Sequence, residues 1–298
     1  MQSKNLLIAI AALLVSCSGN NDKSDAYGNF EATEVIVSSQ AQGIILWLNV
    51  EEGQVLKSGQ YVGLVDTIDL YLKKEQLIQQ KATVATKIAM ISSQEEIQEQ
   101  QKKNLMVDKK RIDNLFRDGA ATQKQVDDIN GAIDLTDKQI MSFKVQKTTV
   151  RDEIKTIERQ TDQVNESLRK CHIKTPVNGT VLTKLSEAGE VTGFGKPLFK
   201  IANLDNIKLK VYVSGAQLAR IKIGQEVEVL VDKDEKSNRK LRGTITWVSQ
   251  TAEFTPKIIQ TKKERVNLVY AVKVSVKNDG TLKIGMPGEI NFNKPSDD

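Results

Sequence analysis

QGIILWLNVEEGQV, residues 42–55, decides the fold, because its pattern returns as NGTVLTKLSEAGEV at residues 178–191. In each copy a glycine opens a short run of strand-forming residues, and a Gly-polar-Val triplet follows near the end. The apolar runs and turn residues around each copy predict short strands joined by tight turns. This internal repeat is the most informative feature of the chain, because repeated segments fold as repeated structural units.

The segment between the two copies has the heptad pattern of long helices. From Asp69 to Arg117 there is neither proline nor glycine, and apolar residues recur every seven positions with Gln98 as the one polar member. That row consists of Leu70, Leu77, Val84, Ile91, Leu105 and Ile112. Residues 122–171 carry two rows, which Thr136, Lys147 and Thr161 interrupt. They consist of Val126, Ile133, Ile140, Ile154 and Leu168, and of Ile129, Phe143, Val150, Ile157, Val164 and Cys171.

The chain is expected to reverse at residues 117–122, so that the two helices form an antiparallel hairpin. Gly119 can adopt the left-handed conformation that ends a helix, and Thr122 with Gln125 predicts a capping box at the start of the next one. Arms of about 48 residues at a rise near 1.5 Å make a rod of roughly 70 Å. The alternative is an ordinary coiled-coil dimer with a break at Gly119, because heptads do not reveal their partner.

The C-terminal third, residues 203–294, predicts a small antiparallel β-barrel. Short runs with period-two alternation are separated by turn residues, with one short helix expected at residues 214–221. The expected fold class is therefore α+β and elongated, with a long helical hairpin between two strand-rich segments at residues 30–66 and 172–202, followed by the barrel. The hairpin is assigned to residues 67–171.

The N-terminus has the order of a secretory signal. Lys4 precedes an apolar run of about ten residues, which is too short for a bilayer that needs roughly 20 helical residues. Leu14-Val15-Ser16-Cys17 resembles a lipobox, which implies that residues 1–16 are removed and Cys17 is diacylated. Two or more acyl chains anchor a protein stably. Residues 17–29 predict a flexible tether, and folded structure is expected to begin near Phe30. The alternative is an ordinary signal peptide with an incidental cysteine.

Composition and residue inventory argue against several functions. A net charge of +5 is too mild, and too interspersed with acidic residues, for nucleic-acid binding. His172 is the only histidine, so one chain has neither a histidine-based triad nor a multi-histidine metal site. Cys171 is expected to be a core residue, and residues 232–236 lack the glycine and glutamate of an EF-hand loop. We expect no enzyme activity, no cofactor and no metal.

The repeat and the hairpin together resemble the HlyD family of periplasmic adaptors, also called membrane fusion proteins, in which a helical hairpin splits a lipoyl-like sandwich. The resemblance covers residues 30–293, and Gly285-Met286-Pro287 matches a motif at the end of the family's barrel. Lipoyl and biotinyl carriers have a lysine where this chain has residues 66–69, without lysine. Residues 252–265 resemble the barrel loop of adaptors that serve ABC-type exporters, and the short C-terminus makes an RND-type pump the less favoured partner.

The resemblance also implies a contact site at the hairpin tip. Arg111, Leu115 and Thr122 match the family's Arg-x3-Leu-x6-Ser motif, with threonine where serine is usual, and the family uses it to contact a TolC-like outer-membrane channel. The implied protein is a periplasmic adaptor, lipid-anchored to the inner membrane, hexameric, and bound to an inner-membrane transporter. The alternative interpretation is purely structural: Thr122 caps the second helix, Leu115 packs within the hairpin and Arg111 is a solvated surface residue. The other candidate functions are a biotinyl or lipoyl carrier and a structural envelope lipoprotein.

Overall fold

A computed structural model describes residues 24–234, 237–254 and 268–292 of the chain. The strands are β1 (Ala26–Glu31), β2 (Glu34–Ser38), β3 (Gly43–Leu48), β4 (Val55–Leu56), β5 (Tyr61–Val65), β6 (His172–Lys174), β7 (Gly179–Lys184), β8 (Val191–Thr192), β9 (Pro197–Ala202), β10 (Asn206–Ser214), β11 (Glu226–Asp234), β12 (Ser237–Val248), β13 (Glu253–Phe254), β14 (Leu268–Lys277) and β15 (Pro287–Asn291). The helices are α1 (Ile68–Arg117), α2 (Gln123–Cys171) and α3 (Gly215–Leu218). The expected α+β class, with a helical hairpin inserted in a split sandwich and followed by a barrel, is confirmed.

The sandwich consists of two four-stranded sheets, and each sheet takes two strands from each copy of the repeat. The sheet orders are β2-β9-β7-β4 and β6-β5-β3-β8. The pairing of β3 with β8 has its counterpart in the pairing of β7 with β4, and the pairing of β2 with β9 has its counterpart in that of β6 with β5. The two copies are therefore related by an internal twofold, and neither copy could bury its apolar face alone.

Equivalent glycines make equivalent hydrogen bonds across this internal twofold. Gly53 and Gly189 have φ values of 85° and 88°, in the left-handed region that disfavours other residues. The Gly53 amide donates to the Val181 carbonyl at 2.8 Å, and the Gly189 amide donates to the Ile45 carbonyl at the same distance. The repeated sequence motif thus encodes two copies of one turn that ties each half of the sandwich to the other.

The hairpin consists of two helices of 50 and 49 residues that pack on each other, a length of about 75 Å. The heptad rows face the partner helix as expected. The buried residues in these rows are Leu77, Val84, Ile91, Ile129, Ile133, Thr136, Ile140, Val150, Ile157 and Cys171. The apolar rows of the two helices pack against each other within one chain, so the alternative of a coiled-coil dimer broken at Gly119 is wrong.

A second row on α1 escapes a search for apolar periodicity because it is charged. It consists of Lys74, Lys81, Ile88, Glu95, Lys102 and Lys109. Lys81 pairs with Glu158 at 2.8 Å and Lys102 pairs with Asp137 at 2.7 Å, each across the hairpin. Glu95 pairs with Lys147, the cation that interrupts an apolar row of α2. The two helices are therefore joined by ion pairs along one side of the apolar seam.

The barrel is a closed ring of six strands in the order β10-β1-β15-β11-β12-β14, with β14 pairing back to β10 and β13 attached outside β14. Alternate residues of these strands point inward. The fully buried interior includes Phe30, Ile207, Leu209, Val229, Ile245, Val274 and Ile290. This arrangement confirms the expected small antiparallel barrel.

Two sequence-based expectations are wrong at the edges of these bodies. Residues 26–29, assigned to the tether, form most of β1, and residues 30–31, assigned to the sandwich, complete it within the barrel. The reason is that a six-residue strand with only Ala26 and Phe30 buried gives too short an alternation to recognise. The helix expected at residues 214–221 is also shorter, because α3 ends at Leu218 and gives way to turns.

Candidate functional site

The hairpin tip is a turn of five residues, 118–122, held by backbone hydrogen bonds. The Asp118 amide donates to the Asn114 carbonyl at 3.1 Å and the Ala120 amide donates to the Leu115 carbonyl at 2.8 Å. Gly119 has a φ of 74°, the left-handed conformation that the sequence predicts for it. The tip is therefore a short reversal in which the last carbonyls of α1 are satisfied locally.

Thr122 is the N-cap of α2 in a complete capping box. Its Oγ1 accepts from the Gln125 amide at 3.4 Å, and Oε1 of Gln125 accepts from the Thr122 amide at 2.8 Å. Such a cap is worth about 1 kcal/mol of helix stability. The residue is exposed, so its structural role leaves the side chain accessible at the surface of the tip.

Arg111 and Leu115 lie four residues apart on one face of α1, at the end of the hairpin. The Arg111 side chain is 69% exposed, and its Nη1 donates to Oδ1 of Asp108 at 3.0 Å. Leu115 is 44% exposed, so the alternative in which it packs inside the hairpin is wrong. Phe116, which is not part of the Arg-x3-Leu-x6-Ser motif, follows it in the chain and is 43% exposed.

The tip thus combines an accessible guanidinium with two adjacent apolar side chains. A guanidinium offers planar, forked donors, and large apolar side chains are anchors in protein interfaces. The structure brings Arg111 and Leu115 together on one face of α1. Thr122 lies on the other side of the turn, and its hydrogen bonds are made to Gln125. Phe116 could have been found from its position one residue after Leu115, outside the buried heptad row.

The place that carries the lysine in lipoyl carriers is here the entry to the hairpin. Oδ1 of Asp66 accepts from the Ile68 amide at 3.0 Å, so the strand leads directly into the first turn of α1. Cys171, the last residue of α2, is fully buried in the core of the sandwich, and burial raises the pKa of its thiol. His172 is exposed, and its ring makes a T-shaped contact with the ring of Tyr61, with the centroids 5.6 Å apart.

Several other expected features can be located only in part. Cys17 lies outside the described residues, as does the barrel loop beyond Phe254, and the turn at residues 232–236 is described only through Asp234. Within the described ranges no group of three or more His, Cys, Asp or Glu side chains could hold a metal ion. Over the same ranges no helix combines the length and the apolar character that a membrane span requires.

The chain combines a long helical hairpin between the halves of a lipoyl-like sandwich with a closed barrel, and several known proteins resemble it. A family model described as LcnD-like, C-terminal domain, matches residues 203–292. The membrane protein YbhG of Salmonella arizonae is 26% identical over 335 aligned positions, which cover 96% of this chain and 96% of that protein.

Two solved structures show the same fold. MacA from Actinobacillus actinomycetemcomitans has a TM-score of 0.57 and 20% identity, over 89% of this chain and 76% of MacA. The membrane fusion protein Spr0693 from Streptococcus pneumoniae R6 has a TM-score of 0.56 and 17% identity, over 91% of this chain and 98% of that one. These findings confirm the resemblance to HlyD-family adaptors.

Proposed function

We propose that this chain is the periplasmic adaptor subunit of an export system, linking an inner-membrane exporter of the ABC type to a TolC-like outer-membrane channel. The observation that carries the proposal is a hairpin of about 75 Å whose tip exposes Arg111, Leu115 and Phe116. The buried apolar rows of the two helices pack on each other, and Arg111, Leu115 and Phe116 lie exposed at the far end of the hairpin. Such a rod is suited to reach a distant protein.

The proposed contact is made by Arg111, Leu115 and Thr122 with the helical end of the channel, and Phe116 extends its apolar part. A single hairpin cannot enclose a conduit, so the adaptor acts as a ring of copies, a hexamer by resemblance to the family. The proposed anchor is a diacylated Cys17 in the inner membrane. An exporter of the RND type is the less favoured partner.

A biotinyl or lipoyl carrier is the second candidate for a sandwich of this kind, and no observation favours it. The turn that would present the cofactor consists of residues 66–69 and leads into α1 without a lysine. An increase in intact mass that maps to a lysine would revive this candidate. A structural envelope lipoprotein, the third candidate, would have no need of a channel contact.

The experiment that tests the proposal is crosslinking from the tip in cells. Asp118→Cys places a thiol in the exposed turn, and Ser93→Cys places the matched control on an exposed position halfway along α1. The native Cys171 is buried and does not compete for the reagent. We expect a channel protein to be captured from position 118 and not from position 93. Recovery of only further copies of this chain would favour a structural lipoprotein and refute the adaptor role.

Charge reversal separates a specific contact from general attraction. Arg111→Asp is expected to reduce the capture of the channel from position 118 by at least tenfold, because a carboxylate replaces the forked donor. Lys110→Asp, an equal charge change on the neighbouring exposed residue, is the control and should retain most of the capture. Equal yields from the two variants would remove Arg111 from the site.

A further inference from the structure

One end of the barrel exposes large apolar side chains. We call it the distal end, and it is where β1, β11 and β14 begin and where β10, β12 and β15 end. The residues at or beside this end with exposures between 40% and 78% are Tyr27, Ile223, Trp247, Phe254 and Leu268. Phe254 and Leu268 are register partners of β13 and β14, so they lie side by side. Exposed apolar patches of this kind mark interaction surfaces.

The opposite end of the barrel has a different character. It joins the sandwich, because β1 ends there at Glu31 before β2, and β10 begins there at Asn206 after β9. Among the described barrel residues at that end, Ile284 is the one exposed large apolar side chain, and the Arg239–Asp279 ion pair lies at the same end. Apolar exposure on the barrel is therefore concentrated on the side away from the sandwich and the hairpin.

The exposed charges at the distal end are of both signs. Arg220 and Lys222 are exposed and make no ion pair with any residue in the described part of the chain. Of the acidic residues there, Asp25 accepts a hydrogen bond from the Phe292 amide at 2.8 Å and Glu253 pairs with Lys210 at 3.5 Å. Glu226 is the exposed acid that remains. Arg220 and Lys222 are thus the cations available beside the apolar side chains, and the exposed carboxylates of Asp25 and Glu226 lie at the same end.

The path of the chain places this end near a bilayer, an argument that rests on the proposed lipidation of Cys17. Ser24 is buried, with its hydroxyl donating to Glu289 at 2.5 Å, and β1 begins at Ala26. Only the seven residue steps from Cys17 to Ser24 can act as a tether, which reach about 25 Å when fully extended. The chain enters the barrel at the distal end, so this end is held within that distance of the anchoring membrane.

We propose that the distal end of the barrel docks on the phospholipid surface of the membrane. Phe254, Leu268 and Ile223 enter the boundary between headgroups and acyl chains, as the apolar faces of interfacial proteins do. Tyr27 and Trp247 lie at headgroup level, where amphipathic rings are enriched. Arg220 and Lys222 contact lipid phosphates. The adaptor is thereby oriented with its hairpin pointing away from the bilayer.

Vesicle flotation of the full mature chain carrying Cys17→Ser tests the surface without help from an acyl anchor. We expect this protein to float with phosphatidylglycerol–phosphatidylethanolamine vesicles, and Phe254→Ser to weaken binding about tenfold because one large apolar side chain is lost. Arg220→Gln and Lys222→Gln should each weaken it about fivefold on these vesicles and hardly at all on phosphatidylcholine. Ile284→Ser, at the opposite end of the barrel, is the matched control and should bind as the parent does.

Tryptophan quenching by brominated lipids locates the contact, because the chain has two tryptophans on different bodies. Trp47→Phe leaves Trp247 at the barrel end, and its emission should be quenched by brominated acyl chains. Trp247→Phe leaves Trp47 in the sandwich, where emission should stay unchanged on the same vesicles. Quenching of Trp47 alone, or of neither tryptophan, would overturn the proposal.

Two further outcomes would also overturn it. If the protein floats only when the exporter is present in the vesicles, the distal end docks on protein and not on lipid. If it forms larger particles without floating, the surface joins copies of this chain. Neither assay uses the channel or the acyl chains proposed on Cys17. A failure of membrane docking in these assays is therefore separate from a failure of the proposed adaptor function. Intact mass of the mature chain tests the lipidation of Cys17 independently.

Discussion

Removing the charge of Lys147 is expected to destabilise the hairpin more than any other single loss of a cross-helix ion pair. The side chains of Lys147 and Glu95 are 19% and 13% exposed, and the neighbours of Lys147 in its row are Ile140 and Ile154. In Lys147→Ala the Glu95 carboxylate is left without its partner in a largely apolar seam. Breaking a buried pair from one side costs roughly 3–5 kcal/mol, and the remaining exposure places this loss near the lower value, about 3 kcal/mol.

The assay is urea unfolding followed by circular dichroism at 222 nm, a signal to which the two long helices contribute most. Lys102→Ala is the matched control, because it removes the cation of another cross-helix pair whose side chains are 34% and 45% exposed. Solvent screens that pair, so its loss should be much smaller. If the two variants unfold at the same urea concentration, the seam around Lys147 is wetter than its burial indicates, and the reasoning is refuted.

The same pair also specifies which residues face each other. A slip of one heptad between the helices would place Glu95 against Ile140 or Ile154 and leave two charges unpaired. Charge pairs in an apolar seam are best attested as devices that fix register. Exchanging the charges in Glu95→Lys with Lys147→Glu should therefore restore most of the stability. Replacing both by leucine should keep or raise stability while disulfide trapping across the hairpin detects more than one register.

Three other predictions concern the sandwich and the barrel. Thr192→Val should stabilise the fold by about 1 kcal/mol in urea unfolding, because the buried Thr192 hydroxyl has no hydrogen-bond partner among the residues that the structure describes. Gly53→Ala and Gly189→Ala should each cost about 1–2 kcal/mol through left-handed strain, and unequal losses would contradict their equivalence. Hydrogen bonds from Thr281 and Arg239 hold the pKa of Asp279 well below its ordinary value of 3.8. The stability that ionised Asp279 contributes is therefore present above pH 3.8 and is lost as the pH falls below that value. The melting temperature of Asp279→Asn should lack this part of the acid dependence.

The sequence predicted those parts of the fold that repeat. The heptad rows located both helices because an apolar seam must recur with the period of the helix. The charged row of α1 was missed because Lys81, Glu95 and Lys102 look like solvated residues until the partner helix supplies Glu158, Lys147 and Asp137. Pairing across a hairpin depends on register, which a single helix does not reveal.

The remaining misses have similar physical causes. Strand β1 can be recognised only from its pairing with β10 and β15, because two buried residues in six give no periodicity in the sequence. At the tip, Arg111 and Thr122 were selected from a spaced motif. Phe116 was not, because it is not part of that motif, although its position directly after Leu115 and outside the buried row pointed to its exposure. The distal end of the barrel was unpredictable because its exposed apolar residues come from five separate segments, which only the fold brings together.

The interleaving of the two repeat copies dictates an order of folding. Strands β5 and β6 are neighbours, with Leu64 opposite His172, yet roughly a hundred residues separate them along the chain. Closing so long a loop is entropically costly unless the intervening chain has already shortened it. The hairpin does this, since contacts between adjacent helices are local and form quickly. The sandwich should therefore close only after the hairpin has brought its two halves together and β9 is present to pair with β2 and β7.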